Sequence, residues 1–321
     1  MPTEQTIQNL FDGDQLNSLR IEFNQVERET FDLPRENLDA IQSAPVKGGI
    51  SKGAETYTMK IISKLGMAKI ISEDAKDLPP VSIAMEKKTV EIRDVGASYK
   101  YTHRELEACA FNGTPLERLD ARAARQTIDE KVDEIIYVGD KDWGLLGLLT
   151  NPNVTRSVAA DNAAGTSKKW KDKTLDEITA DVQTMFDAVF NATKGPRGSG
   201  TVTPDTLKLP REAYTSLTTR TKGVDSDVTF LKAIMDRFAP QGLKSIECCN
   251  SAAGVGFVST SPADRALLYK KAPENVFSIL PLPFRVLPAQ YQGLSIVFNC
   301  IGRTGGAAWR RPTTGVYMDG V

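Results

Sequence analysis

One long amphipathic helix constrains this chain more than any other feature. Thr114, Pro115 and Glu117 give it an N-cap hydroxyl, a proline at the first helical position and a carboxylate three residues after the cap. In that pattern the first free amides are satisfied reciprocally. Behind the cap, Ala121, Ala124, Ile128, Val132 and Ile135 recur in steps of three and four and so fall on one stripe. Arg118, Arg122, Arg125, Asp129, Glu130, Asp133 and Glu134 occupy the rest of the surface. Gly139 supplies the residue that ends helices in the left-handed conformation. The spacing predicts a helix over 115–138, about 36 Å long at 1.5 Å per residue. A narrow apolar stripe of that length needs a flat partner, so the helix reads as a spine across a sheet.

The chain before the helix is of another kind. Residues 1–45 show helical spacing only at Leu16, Leu19, Phe23 and Val26. They read as an arm with one short helix, too poor in apolar surface to order itself without a partner. Residues 55–72 read as two β segments about a turn near Gly66, with Tyr57, Met59 and Ile61 alternating with Thr58, Lys60 and Ile62. A hairpin with polar residues on both faces is marginal alone. Asp77-Leu78-Pro79-Pro80 interrupts the pattern, and residues 89–101 resume it as a strand with a break at Gly96.

Beyond Gly144 and Gly147 the pattern is mixed. Thr174 and Glu177 form a second capping box before a helix with Leu175, Ile178, Val182, Met185, Phe186 and Val189 inward. A flexible connector at 194–200 and a strand at 206–209 follow. A helix is expected at 226–238, ending at Pro240, with strands at 243–249, 256–260 and 266–270. Pro281, Pro283 and Pro288 mark a linker. Residues 294–301 and 307–318 read as a closing hairpin around Gly302-Arg303-Thr304-Gly305-Gly306. The fold class is α+β, with two sheets and one long helix.

Composition excludes several functions. A chain of 321 residues with 40% hydrophobic side chains can bury a real core in one large or two modest domains. No run approaches the roughly 18 apolar residues of a membrane helix, and residues 1–10 lack the apolar stretch of a secretory signal. Cys109, Cys248, Cys249 and Cys300 follow neither metal nor disulfide spacing, which suggests a reducing compartment. A net charge of −1 argues against a tight grip on nucleic acid. The charge is uneven, however. Residues 1–45 carry three arginines and nine carboxylates, a net of −6, whereas residues 46–80 carry six lysines and four carboxylates.

Chemistry-bearing motifs are lacking. His103 is the only histidine and reads as a surface or packing residue, so no two-histidine metal site can form within one chain. Cys248 and Cys249 are adjacent, without the spacer of a redox pair, and read as small buried residues on a strand. Gly165-Thr166-Ser167-Lys168 lacks the order of a phosphate loop, and Gly254-Val255-Gly256 lacks the third glycine of a dinucleotide site. No catalytic, cofactor-binding or metal-binding residues are assigned, and the chain does not read as an enzyme.

Three stretches resemble the major capsid proteins of tailed bacteriophages, in the branch near the encapsulin-like shell proteins. The first is Asp142-Trp143-Gly144-Leu145-Leu146-Gly147-Leu148-Leu149-Thr150-Asn151-Pro152-Asn153-Val154 after the spine. The second is Leu207-Lys208-Leu209-Pro210-Arg211-Glu212-Ala213-Tyr214. The third lies in 281–321, at Cys300-Ile301-Gly302-Arg303-Thr304-Gly305-Gly306 and Arg310-Arg311-Pro312. The resemblance covers about residues 50–321 and implies an HK97-like fold. Its parts would be an N-terminal arm (1–50), an extended loop (51–88), a peripheral domain (89–148 with 288–321) and an axial domain (149–287).

The resemblance further implies an icosahedral head of hexamers and pentamers around double-stranded DNA, built in the host bacterial cytoplasm and resident in the virion. The expected partners are copies of the chain, a scaffolding protein, a portal, a decoration protein and, non-specifically, the packaged DNA, with no membrane and no cofactor. Lys60, Lys64, Lys69 and Lys76 on the extended loop are the expected inter-subunit contacts, with the acidic arm of another copy as their partner. Some relatives weld neighbours by a Lys-to-Asn bond; neither these lysines nor Asn299 match that motif, so none is assigned. A nanocompartment shell with protein cargo and a soluble bacterial enzyme are the rival readings.

Overall fold

The spine forms where the stripe predicts. Helix α1 (Leu116–Tyr137) buries Ala124, Ile128, Val132, Ile135 and Ile136. The structure, a computed structural model, describes residues 38–66, 80–105, 107, 116–194, 202–223, 226–259 and 261–321. Thr114 and Pro115, the expected start of α1, lie outside them.

Strand β1 (Thr56–Leu65) pairs antiparallel with β2 (Ser82–Glu91), Thr56 opposite Glu91 and Leu65 opposite Ser82. The described partner of β1 is therefore the segment beyond 80; the second β segment expected after Gly66 lies outside the described residues. The break expected at Gly96 falls instead at Ile92, immediately before β3 (Arg93–Thr102). Ile92 is buried with Met59, Phe277, Ile279 and Ala308, and its amide donates to the Glu55 carbonyl at 2.9 Å. That pivot decides where the ribbon leaves the body. Gly96 stays in the β3 ladder opposite Ile301.

The Gly-Leu-Leu-Gly-Leu-Leu run after α1 caps the helix. The amides of Leu148 and Leu149 donate to the carbonyls of Ile136 and Tyr137 at 2.8 and 2.9 Å, satisfying groups a helix end leaves open. Gly139 adopts φ +80°, and a Cβ on Gly147 would lie 2.4 Å from the Tyr137 carbonyl oxygen. Gly147→Ala is therefore expected to cost about 1–3 kcal/mol. Urea unfolding of the subunit should show a lower midpoint at unchanged slope.

Strand β4 (Thr155–Val158) and helix α2 (Leu175–Ala192) come next. The predicted capping box is formed: Glu177 accepts the Thr174 amide at 2.6 Å, and the Thr174 hydroxyl accepts the Glu177 amide at 3.4 Å. Strand β5 (Thr206–Leu209), helices α3 (Arg211–Thr219) and α4 (Phe230–Phe238), then β6 (Ser245–Cys248) and β7 (Arg265–Tyr269) follow. Helix α4 starts four residues later than the spacing suggests. Ser226–Thr229 is a short strand, and the Thr229 hydroxyl caps α4 by accepting the Lys232 amide at 3.3 Å. The connector at 194–200 lies outside the described residues except for Lys194.

The last third holds β8 (Val276–Ile279), β9 (Leu282–Val286), β10 (Gln290–Gln292), β11 (Ser295–Thr304), β12 (Gly306–Trp309) and β13 (Gly315–Asp319). Two expectations change here. The proline-marked linker contains β9, an edge strand paired with β11, and Pro283 sits inside its register shift, a position that tolerates the missing donor. The closing hairpin does not form either. β11 pairs with β3, β9 and β10; β12 pairs with β8; and β13 enters another sheet. Gly306 makes this turn at φ +69°, with the Leu146 carbonyl 2.6 Å from where a Cβ would stand.

Among the described residues two larger sheets result, beside two-stranded pairs such as β1–β2 and β8–β12. One runs β9-β11-β10, with β3 also paired to β11, and α1 packs against β3 and β11. The other is a mixed sheet ordered β6-β5-β7-β13-β4. Its core joins Ile178, Val182, Met185 and Phe186 of α2 to Leu207, Leu268, Val316 and Met318 of the strands and to Ile234 and Phe238 of α4.

Candidate functional site

Among the described residues the β1–β2 ribbon packs on the body at its root and exposes large apolar side chains beyond it. Residues directly opposite in an antiparallel pair share a face, which sorts its side chains. On one face Tyr57, Met59 and Val90 pack with Ile92 over Phe277, Ile279 and Ala308, and the Tyr57 and Phe277 rings meet edge to face at 5.9 Å. That contact anchors only the root.

Among the described residues the opposite face has no such cover. From root to tip it presents Thr58 and Thr89, whose hydroxyls share a 2.9 Å hydrogen bond, then Lys60 opposite Lys87, Ile62 opposite Met85, and Lys64 opposite Ile83. Ile62 is 55% exposed, Met85 55%, Ile83 65% and the adjacent Val81 74%. Like charges directly opposite destabilise a strand pair, and among the described residues neither Lys60 nor Lys87 has an acidic partner. Of the four predicted contact lysines, Lys60 stands on this face. Lys64 takes its place in the β1 register, its side chain outside the described residues, and Lys69 and Lys76 lie outside them altogether.

Groups that could do chemistry are spent elsewhere. A cleft of about 500 Å³ at the ribbon root is lined by Arg93, Asp94, Lys131, Ile135, Asp140 and Trp143 among others. Its charges are matched locally: Arg93 with Glu91, Asp94 with Arg303, and Lys131 with Glu134 at 2.9 Å. Asp140 accepts the Asp142 amide at 3.0 Å. His103 is exposed, 3.3 Å from Glu107. Burial pushes the Cys249 thiol up to about 11, the reverse of a nucleophile's need. Among the described residues no cluster suits a metal ion, and no helix is long and apolar enough to cross a membrane.

The family model for major capsid proteins matches residues 66–321. The chain belongs to the major capsid protein family. No curated protein matches it. Among solved structures, the capsid of Myoviridae phage XM1 is similar at a TM-score of 0.76 and 17% identity, over 94% of this chain and 98% of that one. The Mycobacterium phage Bobi structure gives 0.58 and 15%, over 96% and 99%. A virus-like particle from Pyrococcus furiosus gives 0.53 and 13%, over 87% and 91%. The capsid protein thus has the HK97-like fold, and its family is a structural one.

Inside the capsid protein lie buried charges that no sequence motif announces. Lys173 pairs with Asp181, which also accepts the Trp170 indole N–H at 3.0 Å. Arg265 donates through Nε and Nη2 to Asp319 at 2.6 and 2.8 Å, and through Nη1 to the Leu149 carbonyl at 2.5 Å. Lys208, with no exposed surface, lies 3.1 Å from Glu247 and 3.3 Å from Asp39. Burial alone would raise the Glu247 carboxyl, yet Lys208 and Lys271 together hold it below its ordinary value. Burial raises the Tyr137 hydroxyl well above its usual range, so it stays protonated and donates to Asp39 at 2.7 Å.

Asp39 belongs to a stretch the sequence assigned to the arm. Residues 38–50 pack against the rest of the described chain, with a single helical turn at Ala40–Ser43 and a β-bridge from Val46 to Ser278. The apolar gain is small. Burying the methyls of Ala40 and Ala44 is worth about 1–2 kcal/mol, against about 1 kcal/mol or more per ordered residue. Polar contacts hold this stretch down.

Proposed function

We propose that many copies of this subunit assemble into an icosahedral head, as hexamers and pentamers, around double-stranded DNA. The supporting observation is the ribbon: four large exposed apolar side chains and a lysine pair without an acidic partner among the described residues, on one face. A second copy would cover that face, with Lys60, Lys64, Lys69 and Lys76 meeting the acidic N-terminal segment of the neighbour. On this reading residues 1–50 are the arm, 51–88 the extended loop, 89–148 with 288–321 the peripheral domain and 149–287 the axial domain. Assembly would take place in the bacterial cytoplasm with a scaffolding protein, a portal and a decoration protein, and the product would be the virion shell.

Charge reversal tests the contact. Lys60→Glu combined with Lys87→Glu is expected to lower shell yield at least about tenfold at low ionic strength, where exposed charges are least screened, and less at high salt. Sedimentation of the purified chain reads the yield. Unchanged yield removes the lysine contact; no shells from the unaltered chain, with scaffold supplied, removes the shell reading. The Pyrococcus particle keeps a protein-filled nanocompartment as a second reading. Nuclease-protected DNA inside shells from infected cells would decide for the viral head, and co-purifying protein cargo without DNA would decide against it.

A further inference from the structure

We propose that residues 39–46 act as a releasable latch, coupling the root of the N-terminal segment to the place where α1 meets the five-stranded sheet. Three parts of the chain converge on one buried ammonium. Lys208 comes from β5, Tyr137 ends α1, and Asp39 belongs to the latch. The Lys208 Nζ lies 3.2 Å from the Tyr137 hydroxyl and 3.3 Å from the Asp39 carboxylate. Glu247, on β6, lies 3.1 Å from Lys208 and 3.3 Å from Lys271. It stays there whatever the latch does, so Asp39 is the detachable acid.

The charge count gives the latch two discrete states. Docked, two lysines face two carboxylates. Released, two lysines share Glu247 alone, and water has to enter to solvate the excess charge. The other contacts are of the same exchangeable kind. The Tyr269 hydroxyl donates to the Ser43 carbonyl at 2.8 Å, and the Ser278 hydroxyl to the Ala44 carbonyl at 2.9 Å. The Ala40 amide donates to Asp133 of α1 at 2.9 Å, and the Lys47 amide to the Ser278 carbonyl at 2.9 Å. Water can replace each of these, and within residues 39–46 only Ala40 and Ala44 are fully buried apolar side chains. Leu38, Ile41 and Val46 are exposed already in the docked state. Release of residues 39–46 is thereby felt at the end of the spine and at β5 and β6.

Hydrogen–deuterium exchange on the unassembled full-length subunit tests the latch, independently of whether shells form. In Asp39→Asn the amides of Gln42, Ser43, Ala44 and Lys47 are expected to exchange at least about tenfold faster, while those of α2 and β7 keep their rates. Ser43→Ala removes a neighbour of Tyr137 without touching a charge and, should Asp39→Asn fail to fold, is expected to accelerate the same four amides alone. Unchanged exchange at those amides, or acceleration spread equally through α2 and β7, would overturn the proposal.

Discussion

Excising residues 60–87 and joining Met59 to Lys88 through Asn-Gly is expected to give a folded subunit that no longer forms shells. The register makes the cut clean, because Met59 and Lys88 are direct partners across the ribbon and Asn-Gly suits a two-residue turn. Tyr57, Met59, Val90 and Ile92 remain to cover Phe277 and Ile279, so the body keeps the small apolar cluster at the ribbon root. What disappears is the bare face with Ile62, Ile83 and Met85. Near-ultraviolet circular dichroism should stay native while electron microscopy shows no closed particles. Shells at the usual yield would mean that subunits are joined through other surfaces.

The second large effect is internal. Asp319→Ala should destabilise the subunit by about 3–5 kcal/mol, because it strands the Arg265 guanidinium in the interior. Asp319 is 2% exposed and also accepts the Phe257 amide at 3.1 Å. Arg265 additionally lies 4.6 Å over the Tyr317 ring and holds the Leu149 carbonyl, so this one pair ties β7 and β13 to the loop after the spine. Urea titration of the unassembled subunit reads the loss. The double variant Arg265→Met with Asp319→Leu should cost clearly less than the sum of its parts, since residues in one network couple. Strict additivity would deny that the two side chains act as a pair.

What could be read from the sequence was whatever is encoded locally. The stripe of α1 and the box of Thr174 and Glu177 involve residues three or four apart, and both stand in the structure as the spacing predicts. Pairings over distance were not legible. The strand opposite β1 begins beyond residue 80, out of reach of any pattern read within 55–72. The course of 295–319 depends on how closely Gly306 approaches Leu146, 160 positions earlier, and no pattern within the segment records that. Lys208 sits in Leu-Lys-Leu-Pro, where alternation suggests a solvent-facing lysine, and its acid partner Asp39 lies 169 residues away. The lysines at 60 and 64 were visible as charges, but the cross-strand partners Lys87, Met85 and Ile83 that turn them into a mixed apolar and basic face were not.

The five-stranded sheet also sets an order of events during synthesis. Its β13 lies between β7, to which it runs antiparallel, and β4, to which it runs parallel. Until residues 315–319 have left the ribosome, β4 has no neighbour and the apolar side chains of β7 and α2 lack Val316 and Met318. Closure across so long a stretch of chain is intrinsically slow. A growing polypeptide thus holds the slot between β7 and β4 open until residues 315–319 have been made.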